Sequence, residues 1–153
     1  MKIKIKNTEF AQRIISDMEL ICSNRNLRFT PLRKRVLEII AQENCSIKAY
    51  DILYILQKED PSAKPSTVYR TLDFLINNGI IHKLNSSNRY TACSHPREER
   101  NQCYFMICEQ CNSIKEYCNS DLITEEIYNI AGKHNFKTSN ISIEIKGICG
   151  NCN

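Results

Sequence analysis

The chain has 153 residues, nine of them cysteines, and carries 21 Lys/Arg against 17 Asp/Glu. That length suits one ordinary domain or two small ones, and no apolar run approaches the roughly 18 residues of a membrane-spanning helix. The N-terminus, Met1 to Lys6, alternates lysine with isoleucine and lacks the apolar core of a secretory signal, so a cytoplasmic protein is expected, in a compartment that disfavours disulfides.

The positive charge is unevenly placed. Residues 1–85 carry 14 Lys/Arg against 9 Asp/Glu, and residues 86–153 carry 7 against 8. A basic half joined to a near-neutral, cysteine-rich half suggests a nucleic-acid-binding module with a second module attached. An ordinary solvated basic face would give the same count.

Phe10, Ile14, Met18 and Ile21 recur at helical spacing, predicting a helix from Thr8 to Asn24. Thr30-Pro31 reads as an N-cap followed by proline at the first helical position; Leu32, Val36, Ile39 and Ile40 give that helix its apolar face. Ala49, Ile52, Leu53 and Leu56 mark a third helix, ended by Asp60-Pro61. Ser66 is the expected cap of a fourth, in which Val68, Leu72, Leu75 and Ile76 face inward and Asn77-Asn78-Gly79 closes the C-terminus. Ile80 to Leu84 and Arg89 to Cys93 read as a hairpin around a turn at residues 85–88.

Helices followed by a small hairpin form the winged version of helix-turn-helix, whose last helix enters the major groove. Away from the core stripe, that helix presents Thr67, Tyr69, Arg70 and Asp73. An aromatic beside an arginine suits a thymine methyl and bidentate contact with guanine; a packed tyrosine and a solvated arginine are the plain alternative.

The polar stretch 94–102 reads as a hinge. Beyond it, Tyr104–Ile107 and Ile114–Tyr117 are expected strands, Asp121 to His134 a helix, and Ile141, Ile143 and Ile145 a last strand. Two Cys-x-x-Cys pairs, Cys108/Cys111 and Cys149/Cys152, lie 37 residues apart. A two-residue gap lets both thiolates of a knuckle reach one ion. Four soft anionic ligands with no open position describe structural zinc. The fold class is therefore α+β: an N-terminal winged-helix DNA-binding domain (1–93), a hinge (94–102), and a small αβ dimerisation domain (103–153) with a four-cysteine zinc site. The second domain is too small for a large core, so metal and a partner subunit are expected to hold it together.

The segments Thr30-Pro-Leu-Arg-Lys-Arg-Val-Leu37 and Lys64-Pro-Ser-Thr-Val-Tyr-Arg-Thr-Leu-Asp-Phe-Leu75, with the two knuckles, resemble the motifs of the ferric uptake regulator family in order over nearly the whole chain. Ala49-Tyr-Asp-Ile-Leu53, Ala63-Lys-Pro65, Asp73-Phe-Leu75 and His82-Lys83 are most similar to its zinc-sensing branch. The resemblance implies a homodimeric, zinc-responsive repressor of zinc-uptake genes that binds a palindromic operator. Tyr69 and Arg70 would touch bases and Arg28 the neighbouring minor groove. It also implies a regulatory zinc, the second per subunit, held by His82, Cys93 and Glu116. Where relatives place histidines for the fourth ligand, this chain has Cys103, Phe105 and Asn101. Cys103 is the expected fourth ligand and His95 the second choice. Lys146 stands where many relatives have histidine, which argues against a further iron-type site.

Cys22 and Cys45 are expected to be small buried apolar residues, Cys118 structural, and His134 a helix cap. Three other readings compete, one of them a constitutive DNA-binding zinc protein with no sensor. An iron- or peroxide-sensing member of the same family would not want Cys93. A thiol-disulfide oxidoreductase would want Cys108/Cys111 at a helix N-terminus, where the sequence instead places them between strands; the regulator reading is the non-enzyme one.

Overall fold

The computed structural model describes residues 8–43, 45–96, 102–118, 121–139 and 141–153. Met1 to Lys6, the middle of the 94–102 hinge and Asn101 lie outside them. The chain divides into two compact units, Met1–Arg97 and Glu98–Asn153.

The first unit runs α1 (Thr8–Asn24), α2 (Pro31–Gln42), β1 (Ile47–Lys48), α3 (Ala49–Glu59), α4 (Pro65–Asn77), β2 (Ile81–Leu84) and β3 (Arg89–Ala92). Its core draws one stripe from each helix: Ile14 and Met18, Leu37 and Ile40, Ile52 and Leu56, Leu72 and Leu75, closed by Ile80 and Ile81. The helix ends follow local chemistry. The Thr30 hydroxyl accepts the Arg33 N–H at 3.4 Å with Pro31 opening α2. At the far end of α4, Gly79 adopts φ 69°, its N–H reaches the Ile76 carbonyl and the Ile80 N–H reaches that of Leu75, satisfying carbonyls the helix leaves open.

Three expectations are corrected. Ser66 does not cap α4: the helix begins at Pro65, with Lys64 in extended backbone at the cap position and no side-chain cap bond. Proline's fixed φ suits the first helical turn, so the start falls two residues earlier. The wing is three-stranded, in the order β1-β3-β2, because Ile47 and Lys48 pair with Tyr90 and Arg89. A two-residue strand has too little pattern to show in sequence; the Arg89 guanidinium, donating to the Ser46 hydroxyl and carbonyl, holds it in place. Cys45 is half-buried rather than buried, while Cys22 is buried as expected.

The second unit holds β4 (Cys103–Cys108), β5 (Ile114–Cys118), α5 (Asp121–Lys133) and β6 (Ile143–Gly147). β4 is central, antiparallel to β5 and parallel to β6. Parallel strands need a long crossover, and here β5 and α5 lie between β4 and β6. Among the described residues of this unit, only Phe105 and Cys108 are buried hydrophobics, whereas Leu122 and Phe136 are 82% and 68% exposed. His134 follows the last turn of α5, its N–H bonded to the Ala131 carbonyl.

Candidate metal centre and nucleic-acid interface

The strand pairing builds the cysteine cluster. Cys108 ends β4 opposite Gly147 at the end of β6, and the Glu109 N–H donates to the Gly147 carbonyl at 2.8 Å. This bond ties the first knuckle to the strand leading into the second. The first knuckle turns back through Asn112 at φ 56°, with its N–H on the Cys108 carbonyl; the second closes with the Cys152 N–H on the Cys149 carbonyl. The Sγ atoms of Cys108, Cys111, Cys149 and Cys152 all lie within 4.8 Å of one another, and Cys111 and Cys149 are 3.7 Å apart. Zinc–sulfur bonds of about 2.3 Å in a tetrahedron demand sulfurs about 3.8 Å apart. The donor set and its spacing fit zinc.

The cluster is also electrostatically prepared. The backbone N–H of Cys111, then that of Cys149, hydrogen-bonds Cys108 and draws its pKa down to about 6. The Ser113 hydroxyl, then the Ser113 backbone N–H, lowers the Cys111 pKa. Cys152, hydrogen-bonded to Cys149 and Cys111, holds its proton, its pKa pushed up to about 12. Four thiolates cannot share so small a volume without a cation, and a divalent ion displaces that last proton.

The other expected ligands belong to two units. In the first, His82 is half-buried on β2 opposite Thr91. Cys93 is fully buried just past β3, its N–H on the Ile80 carbonyl at 2.9 Å. His95 is drawn back toward it, donating its backbone N–H to the Cys93 sulfur at 3.4 Å. In the second unit, Glu116 sits on β5 opposite Phe105. Cys103, the expected fourth ligand, is bonded to Cys118 in a disulfide, and a disulfide sulfur has no negative charge to give a metal. The sequence reading treated the two cysteines separately. Their pairing was legible only once the register set residue 103 opposite residue 118.

On α4, Val68, Thr71, Leu72 and Leu75 are buried, and the Thr71 hydroxyl donates to the Thr67 carbonyl at 3.0 Å. Thr67, Tyr69, Arg70 and Asp73 face out as the helical period requires, with Tyr69 51% exposed. No acidic side chain occupies the first turn, so the positive end of the helix is available to a phosphate. Arg28 is exposed just before the Thr30 cap. Arg33, which sequence reasoning missed, donates to the Arg28 carbonyl and stacks over Phe74 of α4, 3.5 Å from the ring centre. One guanidinium thus fixes the backbone beside Arg28 against α4. Its signal was one basic residue in the run Arg33-Lys34-Arg35, which spacing does not distinguish from its neighbours.

The ferric uptake regulator family model matches residues 24–146. The chain belongs to the ferric uptake regulator family. It is 36% identical over 141 residues to the zinc uptake regulation protein of Escherichia coli, covering 92% of this chain and 82% of that one. Among solved structures it resembles a zinc uptake regulator complexed with zinc and DNA, at a TM-score of 0.88 and 36% identity, over 93% of this chain and 94% of the other. It also resembles holo XcZur, at 0.83 and 36%, over 92% and 96%. Family membership covers both units, from the end of α1 to β6. No described helix is long and apolar enough to cross a membrane.

Proposed function

We propose that this protein is a zinc-responsive transcriptional repressor, not an enzyme, that acts in the cytoplasm as a homodimer on a palindromic operator and controls zinc-uptake genes. The observation that carries the reading is the combination of an outward-facing Tyr69-Arg70 pair on α4 with a zinc-fitting cluster of four cysteines in one chain of this family. Tyr69 and Arg70 read base edges in the major groove, and Arg28 reaches the adjacent minor groove. A dimer is supported by the apolar surface of the second unit, where Leu122, Ile123, Ile130 and Phe136 are left exposed by a single chain.

Each subunit holds two zinc ions. Cys108, Cys111, Cys149 and Cys152 hold the structural one. His82, Cys93 and Glu116, with Cys103 in its thiol form as the fourth ligand and His95 the second choice for that place, hold the regulatory one. A thiolate among nitrogen and oxygen donors selects zinc over iron. These ligands come from both units of the chain, so binding biases how the recognition helices are presented only to the extent that the DNA-competent state binds zinc more tightly.

Counting zinc per chain before and after mild chelation, alongside binding to a palindromic duplex selected from random sequence, tests the reading. Two zinc ions, one removed with loss of DNA binding, are expected. One zinc with DNA binding indifferent to chelation means a constitutive binder, and none means a dithiol enzyme.

A further inference from the structure

Cys103 and Cys118 are joined in a disulfide and stand directly opposite each other on the antiparallel strands β4 and β5. We propose that this pair is a redox site that gates the regulatory metal: Cys103 is a ligating thiolate when reduced and is withdrawn into the disulfide with Cys118 when oxidised. This deepens the regulatory-site reading and rests on it.

Placement supports the gate. The side-chain period of two puts Cys103 and Phe105 of β4 on the same sheet face as Glu116 and Cys118 of β5, since 103 pairs with 118 and 105 with 116. The Cys118 sulfur lies 3.2 Å from Glu116 Oε1. The disulfide therefore forms beside one expected ligand and consumes another. Both cysteines are half-buried, which admits a small oxidant. Directly opposed positions on paired strands put the two sulfurs within reach of each other. In a reducing compartment a disulfide is transient and signalling rather than structural.

The chemistry needs a hydroperoxide as two-electron oxidant. One thiolate attacks the peroxide oxygen, breaking the O–O bond and forming a sulfenic acid while the leaving oxygen takes a proton. The second thiolate then attacks the sulfenic sulfur, the S–S bond forms, and hydroxide leaves as water. With hydrogen peroxide, two thiols and one peroxide give one disulfide and two waters. A small dithiol reverses it: one thiolate opens the disulfide, and the other closes the reductant's own S–S bond.

The test uses the full chain loaded with structural zinc. The second zinc is titrated against a chelator in the reduced protein, after hydrogen peroxide with the Cys103–Cys118 link confirmed by peptide mass, and after dithiol reduction. The oxidised chain is expected to bind the second zinc at least about 100-fold more weakly, since even an outer hydrogen-bonding partner of a ligand is worth 10–100-fold, and reduction restores it. Reduced Cys118→Ser keeps the wild-type affinity, and Cys103→Ser is weak with or without peroxide. An oxidised, mapped disulfide that binds the second zinc as tightly as the reduced chain overturns the gate and leaves the regulatory site standing, as does a link that peroxide never forms. A reduced chain that takes only one zinc overturns the regulatory site itself, and the gate with it.

Discussion

At the scale of single residues, Arg70 and Arg28 differ in what they are proposed to touch. Arg70 projects from α4 beside Tyr69, where a bidentate guanine contact is worth about 1–3 kcal/mol of discrimination. Arg70→Ala should lose about that much and relax preference at one base of each half-site, in a binding assay over a panel of single-base variants. Arg28→Ala should weaken binding while leaving the major-groove preferences as they were. Equal weakening on every sequence by Arg70→Ala would reassign it to phosphate. The knuckle residues act differently. Apparent zinc free energies of roughly 10–16 kcal/mol exceed ordinary domain stability, so Cys149→Ser should leave the second unit unfolded. A Cys149→Ser chain with unchanged thermal unfolding and circular dichroism would contradict the four-cysteine assignment.

At the scale of elements, most of the first unit was legible because its signals are local. Apolar stripes, the Thr30-Pro31 cap and Asn78-Gly79 each act within a few residues, and α1 and α2 fall where periodicity and capping place them. β1 and the Cys103–Cys118 pairing were not legible, because both depend on which strand lies alongside, a fact no local window contains. Ser66 was misread because two capping signals adjoin and proline's fixed φ outweighs a serine hydroxyl. The α4 terminus offers a test of this local account. An added Cβ at Gly79 meets nothing within 4 Å, yet φ is +69°. Gly79→Ala should therefore cost about 1–2 kcal/mol from backbone conformation alone, read in urea unfolding. In contrast, Leu72→Ala, at a fully buried position, should cost about 2–5 kcal/mol. A neutral Gly79→Ala would mean that the left-handed cap contributes nothing to ending α4.

At the scale of the molecule, the two units carry different kinds of stability. The first has a continuous core drawn from four helices; the second has two buried hydrophobics among its described residues and a wide apolar surface. On the proposed reading, a second unit built this way takes its stability from zinc and from a partner. Its thermal midpoint should rise with protein concentration, and sedimentation should give a dimer; a monomer with a concentration-independent midpoint would contradict this. The proposed regulatory site was named residue by residue through family resemblance, and its fourth ligand is the part that sequence leaves open. Cys103 can be a ligand or half of a disulfide, and sequence does not carry the redox state. The central claim is that zinc at His82, Cys93 and Glu116 drives operator binding. Shifting a population from mostly incompetent to mostly competent takes about 5.5 kcal/mol of differential binding, and operator DNA must tighten zinc by the same factor. The most direct measurement is operator affinity as a function of free zinc for the wild type and Cys93→Ala. The wild type should tighten steeply with zinc, while Cys93→Ala keeps its structural zinc, fold and dimer and binds the operator weakly at every zinc level. A Cys93→Ala protein that still responds to zinc as the wild type does would contradict the account.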